Sequence, residues 1–346
     1  MLDHTQGLQV DGLLGPLVVL AAMTLSAGII VAMRPLLVRY ALARPNDRSS
    51  HREPTPQGGG IAIVVATIGA ASLAVFAAGD FRTSAESELS RVLAVTALLA
   101  AVGAVDDVRA LGAATRLILH TLAVAAVIAS LPPELRIVAP FPWWAERALL
   151  VLGGVWFINL VNFMDGIDWM TVAEVLPVAG GLVLIGIFGA LPAHGILVAL
   201  ALIGATLGFA PFNRPVARLF LGDVGSLPIG LLLGWLLVLV AGSGHIAAAL
   251  LLPLYYLADA TVTLLRRIGN GEPVWQAHRT HFYQRATDRG FTVPEIVGRV
   301  FAVNLALVGL AAITVAFPAF AISCAALAVG GALVAWLLAR FARGPT

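Results

Sequence analysis

Five aspartates stand where apolar stretches of the chain end or begin, and they are the side chains that point most directly to chemistry. They are Asp106, Asp107, Asp165, Asp168 and Asp223. A carboxylate at the edge of a bilayer is costly to keep without a partner. Several carboxylates from distant parts of one chain, all predicted on one side, indicate a shared cation site that faces water.

The adjacent pair Asp106-Asp107 follows the apolar run 98–105. Neighbouring acids repel each other, so both would stay ionised near lipid only with a cation beside them. The structural alternative is a solvated helix end, which the pair alone does not exclude.

A second motif repeats polar residues every three positions: Asn159, Asn162 and Asp165. On a helix, residues three apart share a face, so these side chains are predicted to form one polar stripe. Amide and carboxylate oxygens are the hard ligands that Mg²⁺ prefers. The alternative is a helix end that Asn and Asp cap, with Gly166 as the stop.

The segment 220–226 precedes an apolar helix and has a Gly-rich turn. Gly222 permits a tight turn, and Ser226 is predicted as the N-cap of the helix. Free N–H groups at such a helix start attract phosphate. A turn with a capping Ser and no ligand would have the same sequence.

Two basic segments are candidates for anion binding. One is 48–60, which combines Arg48, His51 and Arg52 with a triple Gly; the other is 278–285, with two His and two Arg. Arg binds phosphate oxygens in a bidentate manner, although a cytoplasmic loop of any membrane protein is also basic. Asp259 lies within an apolar stretch and is interpreted either as a functional acid or as a partner of a nearby Arg.

The composition predicts an integral membrane protein of the all-α class. The chain is 60% apolar with a mean hydropathy of +0.94, and its 12% of charged residues is about half the roughly 25% usual in soluble domains. A net charge of +2 argues against a nucleic-acid partner. Eleven stretches are long enough to suggest spans: 12–33, 59–79, 89–105, 117–131, 147–164, 172–188, 193–211, 226–241, 246–265, 297–316 and 318–340.

The distribution of Arg predicts the orientation. The chain has no Lys, and of its 21 Arg residues 17 fall on one side of these spans and four on the other. The positive-inside rule then places the N-terminus outside and the C-terminus in the cytoplasm. We predict a single domain, 1–346, whose cytoplasmic loops hold every motif above: 34–58, 106–116, 165–171, 212–225 and 266–296.

Taken together, these motifs resemble the polyprenyl-phosphate N-acetylhexosamine-1-phosphate transferases, the MraY/WecA superfamily. The matching blocks occur in the expected order: 50–60, Asp106-Asp107, 159–168, 213–230 and 278–285. The resemblance implies ten or eleven spans in a bacterial inner membrane, an active site facing the cytoplasm and a possible homodimer. It also implies a reaction in which undecaprenyl phosphate attacks the β-phosphate of a UDP-N-acetyl sugar and UMP leaves.

The resemblance further implies roles for individual residues. Asn162 and Asp223 would bind Mg²⁺, for which Mn²⁺ can substitute. The implied catalytic residues are Asp106, Asp107, Asp165, Asp168, His278, Arg279 and His281. The implied substrate-binding residues are His51, Asn159, Asn213, Arg116, Gly222 and Ser226. Either Asp106 or Asp107 would act on the lipid phosphate.

Two departures from the family pattern bear on the expected substrate and on the local backbone. The loop 278–281 lacks the run of three His of the peptidoglycan branch, so it looks more like the branch that starts O-antigen or other surface polysaccharides. Trp169 stands where many members have Gly, which leaves its backbone role open. A transporter or flippase is the main alternative, although transporters place polar groups near the midplane. An inactive scaffold homologue is a third possibility.

Overall fold

The computed structural model describes residues 13–43, 54–77, 84–273 and 278–345, and it describes the side chains of the third range from residue 88. Thirteen helices and one two-stranded sheet occur in this part of the chain. The helices are α1 Leu14–Tyr40, α2 Gly60–Ala77, α3 Ser84–Val108, α4 Ala113–Ser130, α5 Trp143–Met164, α6 Met170–Ile187, α7 Ala193–Phe209, α8 Asp223–Gly242, α9 Ile246–Leu251, α10 Leu254–Gly269, α11 Phe282–Asp288, α12 Val293–Ala316 and α13 Phe320–Arg343.

The all-α membrane class is confirmed. Each of the eleven predicted stretches coincides with helix, and nine helices of the described residues are long and apolar enough to cross a membrane. The helix α7, with 17 residues, is shorter, and the stretch 246–265 is divided into α9 and α10. Pro253 lies at this break, where its missing N–H interrupts the helical ladder. The count of eleven spans and the orientation stay predictions.

The helix α8 is the centre of the bundle. Within the apolar window of α8, 89% of residues are buried, against 22% for α1 at the periphery. The main neighbours of α8 are α2, α3, α5 and α9. Because α8 is surrounded by protein, its first turn can meet side chains from several helix ends at once.

A short sheet joins the two ends of the segment between α1 and α2, and a separate bridge joins this segment to the one before α8. Strand β1 (Leu42–Ala43) pairs antiparallel with β2 (Thr55–Pro56), and Gln57 forms a parallel bridge with Phe220. The N–H groups of Gly59 and Gly60 donate to the carbonyls of Phe220 and Leu221, each at 2.9 Å. This pairing holds Gln57 beside the start of α8.

Candidate functional site

Asp223 and Asn162, predicted as metal ligands, are in direct contact. Asp223 is the first residue of α8, and Asn162 lies in the last turn of α5. The Asn162 Nδ2 donates to Asp223 Oδ1 at 2.6 Å and to Ser226 Oγ at 2.9 Å. The fold thus joins two motifs that are 61 residues apart in the chain.

Asp107 holds the N-terminus of α8. Its carboxylate accepts the N–H of Asp223 at 2.8 Å and that of Val224 at 3.1 Å, and the Gln57 side chain donates to it as well. A carboxylate is favoured here by both the free N–H groups and the positive end of the helix dipole. Asp107 therefore occupies the helix start that the sequence suggested for phosphate.

The prediction that Ser226 caps this helix is wrong. The helix begins at Asp223, with Gly222 as N-cap at φ +78°, so Ser226 lies inside the first turn. Gly adopts a positive φ without steric cost, and Asp107 supplies the oxygen that a capping side chain would otherwise provide. Ser226 instead accepts the hydrogen bond from Asn162.

Gly103 lets α3 pass close to the first turn of α8. A Cβ atom at this position would lie 2.4 Å from the Asp223 carbonyl oxygen. Only a residue without a side chain fits between these two backbones. The close approach brings Asp107, one turn further along α3, against the N–H groups of α8.

We expect Gly103→Ala to lower both stability and activity, because the added methyl must push α8 away from α3. Overpacking of this kind costs about 1–3 kcal/mol. Thermal unfolding in detergent would measure the loss. The matched control is Gly153→Ala, since a Cβ at Gly153 meets nothing within 4 Å. Equal melting temperatures of the two variants would contradict the close approach.

Asp106, although adjacent to Asp107, serves a different element. Its Oδ1 accepts the N–H of Leu111 at 2.6 Å, and its Oδ2 lies 3.5 Å from Arg116 Nη1. The Asp106 side chain is 4% exposed and that of Arg116 40%. Asp107 therefore organises the start of α8, whereas Asp106 binds the start of α4 and the partly exposed Arg116 and also interacts with Asp223.

Asp165 ends the polar stripe of α5. It is the C-cap residue of that helix, and Thr171 Oγ1 donates to its Oδ1. Burial raises the pKa of Asp165 to about 7, the bond from Thr171 opposes this shift, and the charges of Asp107 and Asp168 add to it. Asn159 lies on the same helix, but its Nδ2 donates to the carbonyl of Val155 at 2.7 Å.

Asp168 and Asn213 fasten the loop 210–222 to the turn between α5 and α6. Asp168 Oδ2 accepts the N–H of Ala217 at 2.9 Å. Asn213 accepts the N–H of Trp169 at 2.8 Å and donates to the carbonyl of Leu219 at 3.0 Å. Both ends of the Asn213 amide therefore bind backbone, and its contact with a nucleoside stays a prediction.

Trp169 adopts the left-handed conformation that its position requires, with φ +61°. Such a conformation is uncommon for a bulky residue and needs support from its surroundings. The support comes from Asn213 at its N–H and from the Ala210 carbonyl, which accepts the indole N–H at 2.7 Å. Trp169 thus keeps the backbone geometry that a Gly would adopt there.

Asp259, on α10, anchors the loop 278–288. This carboxylate is fully buried and accepts the N–H groups of Phe282 and Tyr283 at 3.0 and 3.3 Å. The Nδ1 atom of His281 lies 3.3 Å from Asp259 Oδ1, and Tyr255 also donates to the carboxylate. The sequence left open whether Asp259 is a functional acid or the partner of an Arg; the carboxylate binds Tyr255, Thr263, His281 and the first turn of α11.

The same loop docks on the end of α5. Tyr283 donates its hydroxyl proton to the Phe163 carbonyl at 3.0 Å, and the ring centroids of His281 and Phe163 lie 6.4 Å apart. The ring of His281 stacks on that of His278, with centroids 4.9 Å apart. Arg279 binds Thr287 at 2.9 Å and Asp288 at 3.4 Å. The two His and the carboxylate cluster therefore share one end of the bundle.

Two contributors to the cluster were missed in the sequence. Gln57 and Thr171 bind Asp107 and Asp165, but a lone Gln or Thr beside Gly or Met has no distinctive spacing. His51 lies outside the described residues. Within the described ranges there is no group of three or more His, Cys, Asp or Glu arranged to hold a metal.

Comparisons with known proteins identify related sequences. Residues 89–241, which include Asp106 and Asp223, match the model of glycosyl transferase family 4. A probable undecaprenyl-phosphate N-acetylglucosaminyl 1-phosphate transferase of Bacillus subtilis is 25% identical over 83% of this chain and 84% of its own length. Decaprenyl-phosphate N-acetylglucosaminephosphotransferases are similarly related. That of Mycolicibacterium smegmatis is 27% identical (95% and 91% covered), and that of Mycobacterium tuberculosis is 28% identical (82% and 79% covered).

Proposed function

We propose that this chain, as a member of the MraY/WecA superfamily of polyprenyl-phosphate N-acetylhexosamine-1-phosphate transferases within glycosyl transferase family 4, acts on a UDP-N-acetyl sugar and undecaprenyl phosphate. It transfers GlcNAc 1-phosphate, or a 6-deoxy HexNAc 1-phosphate, to the lipid and releases UMP. The product, a lipid-diphospho-sugar, starts an O-antigen or another surface polysaccharide. The observation that carries the proposal is the meeting of Asp107, Asn162 and Asp223 at the start of α8.

The residues at this point fit a Mg²⁺ site that is completed by substrate. Mg²⁺ is usually bound by one or two carboxylates together with substrate phosphates, and it retains several waters. Asp223 would bind through its carboxylate and Asn162 through its amide oxygen, and Mn²⁺ accepts the same ligands. When bound, the ion would neutralise charge that develops on the diphosphate.

The protein's own residues bring the two anionic reactants together. Asp107 holds the α8 N-terminus in place, so that Asp223 faces Asn162. Arg116 attracts the lipid phosphate, and Asp106 beside it accepts the proton that the phosphate loses. His278, Arg279 and His281 contact the sugar or the diphosphate. The site faces the cytoplasm of the bacterial inner membrane, where nucleotide sugars are available.

The position of the labelled phosphorus tests the reaction class. UDP-GlcNAc and its 6-deoxy relatives, each with ³²P in the β-phosphate, are incubated with purified protein, undecaprenyl phosphate and Mg²⁺. We expect the label to enter the organic phase, because the β-phosphorus travels with the sugar. Label that stays in water as UDP while the sugar enters the lipid would show plain glycosyl transfer instead. Omitting the lipid is the control.

A further inference from the structure

Glu174 is a buried acid that no step of the proposed reaction uses. It lies in the second turn of α6 and is 2% exposed, on a helix whose other buried residues are mostly apolar. An acid within a membrane-spanning helix is costly and is a candidate for a specific role. Within the described part of the chain no Arg forms an ion pair with Glu174. The acid is therefore kept in the bundle by other means.

Asn304, on α12, is the hydrogen-bond partner of this acid. Its Nδ2 donates to Glu174 Oε2 at 2.7 Å and to the Ala173 carbonyl at 3.0 Å, so both protons of the amide are used. Two oxygens of the same pair, Glu174 Oε1 and Asn304 Oδ1, are buried without a partner. Buried polar atoms are almost always hydrogen-bonded, so two unpaired acceptors on two bonded side chains require a donor between them.

A single proton supplies that donor. A carboxylic acid at Glu174 donates from Oε1 to Asn304 Oδ1, while Asn304 Nδ2 donates to Glu174 Oε2, and the two side chains close a ring with two hydrogen bonds. An ionised Glu174 would leave Asn304 Oδ1 unpaired and would place an uncompensated charge in the interior. Tyr256, on α10, is the titratable group that faces Glu174, and its phenol supplies no positive charge.

We propose that Glu174 is held as a neutral carboxylic acid paired with Asn304, and that this pair positions the start of α6 for the reaction. Thr171, one turn before Glu174 on the same face of α6, donates to Asp165. Asn304 binds both Glu174 and the Ala173 carbonyl, so it fixes this part of α6 to α12. The effect on turnover rests on the proposed function, whereas the neutral pair does not.

The neutral state also matters for the charge of the site. Tyr256 interacts with both Glu174 and Asp165, so the two acids lie in one buried region. An ionised Glu174 would add a negative charge behind the carboxylate cluster, where like charges disfavour each other's ionised form. A neutral acid fixes α6 without that charge. Glu174 and Asn304 are thus positioning residues that act through Thr171 and Asp165.

Infrared spectroscopy tests the protonation without turnover. The C=O stretch of a carboxylic acid is separate from the amide bands and shifts in D₂O, and a carboxylate lacks it. Wild-type protein, in a detergent without ester groups, should show one such band that Glu174→Gln lacks. Asn304→Leu should keep the band at a higher frequency, because the acid then loses its partner. The competing arrangement is an ionised Glu174 bridged to Asn304 by a water. It would give identical acid bands in the wild type and in Glu174→Gln, and that result would overturn the proposal.

Kinetics test the positioning role. Gln can form the same ring with Asn304, so Glu174→Gln should keep the wild-type kcat. Asn304→Leu should lower kcat about tenfold, the low end for loss of a group that orients a functional residue. Thr314→Val is the matched control on α12, since the buried Thr314 hydroxyl donates to the Ala311 carbonyl of its own helix.

The outcomes of the two experiments are separable. Equal kcat values for Asn304→Leu and Thr314→Val, both folded by thermal unfolding, would overturn the positioning role. The infrared comparison of the wild type with Glu174→Gln does not depend on the folding of Asn304→Leu. An acid band assigned to Glu174 in protein that releases no UMP would leave the neutral pair standing and refute the reaction.

Discussion

Asp223→Asn is expected to lower the transfer rate by more than about 100-fold while the protein stays folded. Loss of an outer-shell partner of a metal ligand already costs 10–100-fold, and Asp223 is proposed as a direct ligand. Asn has nearly the same shape and can still accept the bond from Asn162, which is 2.6 Å long in the native protein. Initial rates at several Mg²⁺ concentrations would show a lower maximum and a weaker Mg²⁺ response.

Glu134→Gln is the matched control for this experiment. It removes one negative charge from an exposed residue in the loop between α4 and α5. We expect its rate and melting temperature to equal those of the wild type. An Asp223→Asn variant with the wild-type rate and Mg²⁺ dependence would remove Asp223 from the metal site.

Asp259→Asn is expected to lower turnover between about 10- and 100-fold, by analogy with other residues that orient a functional His. Asp259 accepts two N–H groups of α11 and the His281 imidazole, and it is fully buried. An amide has one acceptor oxygen, so at least one of these donors would face an NH₂ group. Each buried donor left unpaired costs about 1–3 kcal/mol. Initial-rate kinetics should show the loss in kcat and in the KM for the UDP-sugar, with the acceptor KM unchanged.

Thr263→Val provides the control for the Asp259 variant. Thr263 lies on α10 and donates to Asp259 Oδ1 at 3.3 Å. The substitution disturbs the same carboxylate without removing its contacts to His281. Similar losses in both variants would indicate a general packing defect, and an unchanged rate in Asp259→Asn would contradict the orienting role.

The elements of the fold could be predicted because each stretch of about 20 apolar residues can satisfy its backbone in lipid only as a helix. The break at Pro253 was less visible, since α9 and α10 are both apolar and run on as one stretch in the sequence. Asn162 and Asp223 were recognised as partners through the family resemblance. Their residue types suggest metal binding, but nothing in their spacing says that they meet.

The partners of Asp107 could not be predicted, because they depend on how helices pack. The close crossing at Gly103 lets the carboxylate of Asp107 reach the α8 N–H groups. The contact joins Asp107 and Asp223, which are 116 positions apart in the chain. For the same reason Ser226 was assigned as the N-cap. A sequence shows which residues can cap a helix, but it does not show a carboxylate that arrives from another element.

The backbone role of Trp169 also could not be predicted from the sequence. The family resemblance identified an unusual residue, but the backbone role of Trp169 follows from two hydrogen bonds to the loop 210–222. Those bonds exist only once α6 and α7 are packed. Asp259 likewise stood near Arg266 and Arg267 in the sequence, whereas it binds His281 and Phe282, more than 20 positions later.

The central claim is that this protein transfers a sugar 1-phosphate to a polyprenyl phosphate, and UMP release tests it most directly. Purified protein is incubated with UDP-GlcNAc, UDP-GalNAc, UDP-QuiNAc, UDP-FucNAc or UDP-MurNAc-pentapeptide, with and without undecaprenyl phosphate and Mg²⁺. We predict UMP from a UDP-HexNAc donor only when both the lipid and the metal are present, and none from the pentapeptide donor. Folded protein that releases no UMP from any donor, or releases it equally without lipid phosphate, would contradict the account.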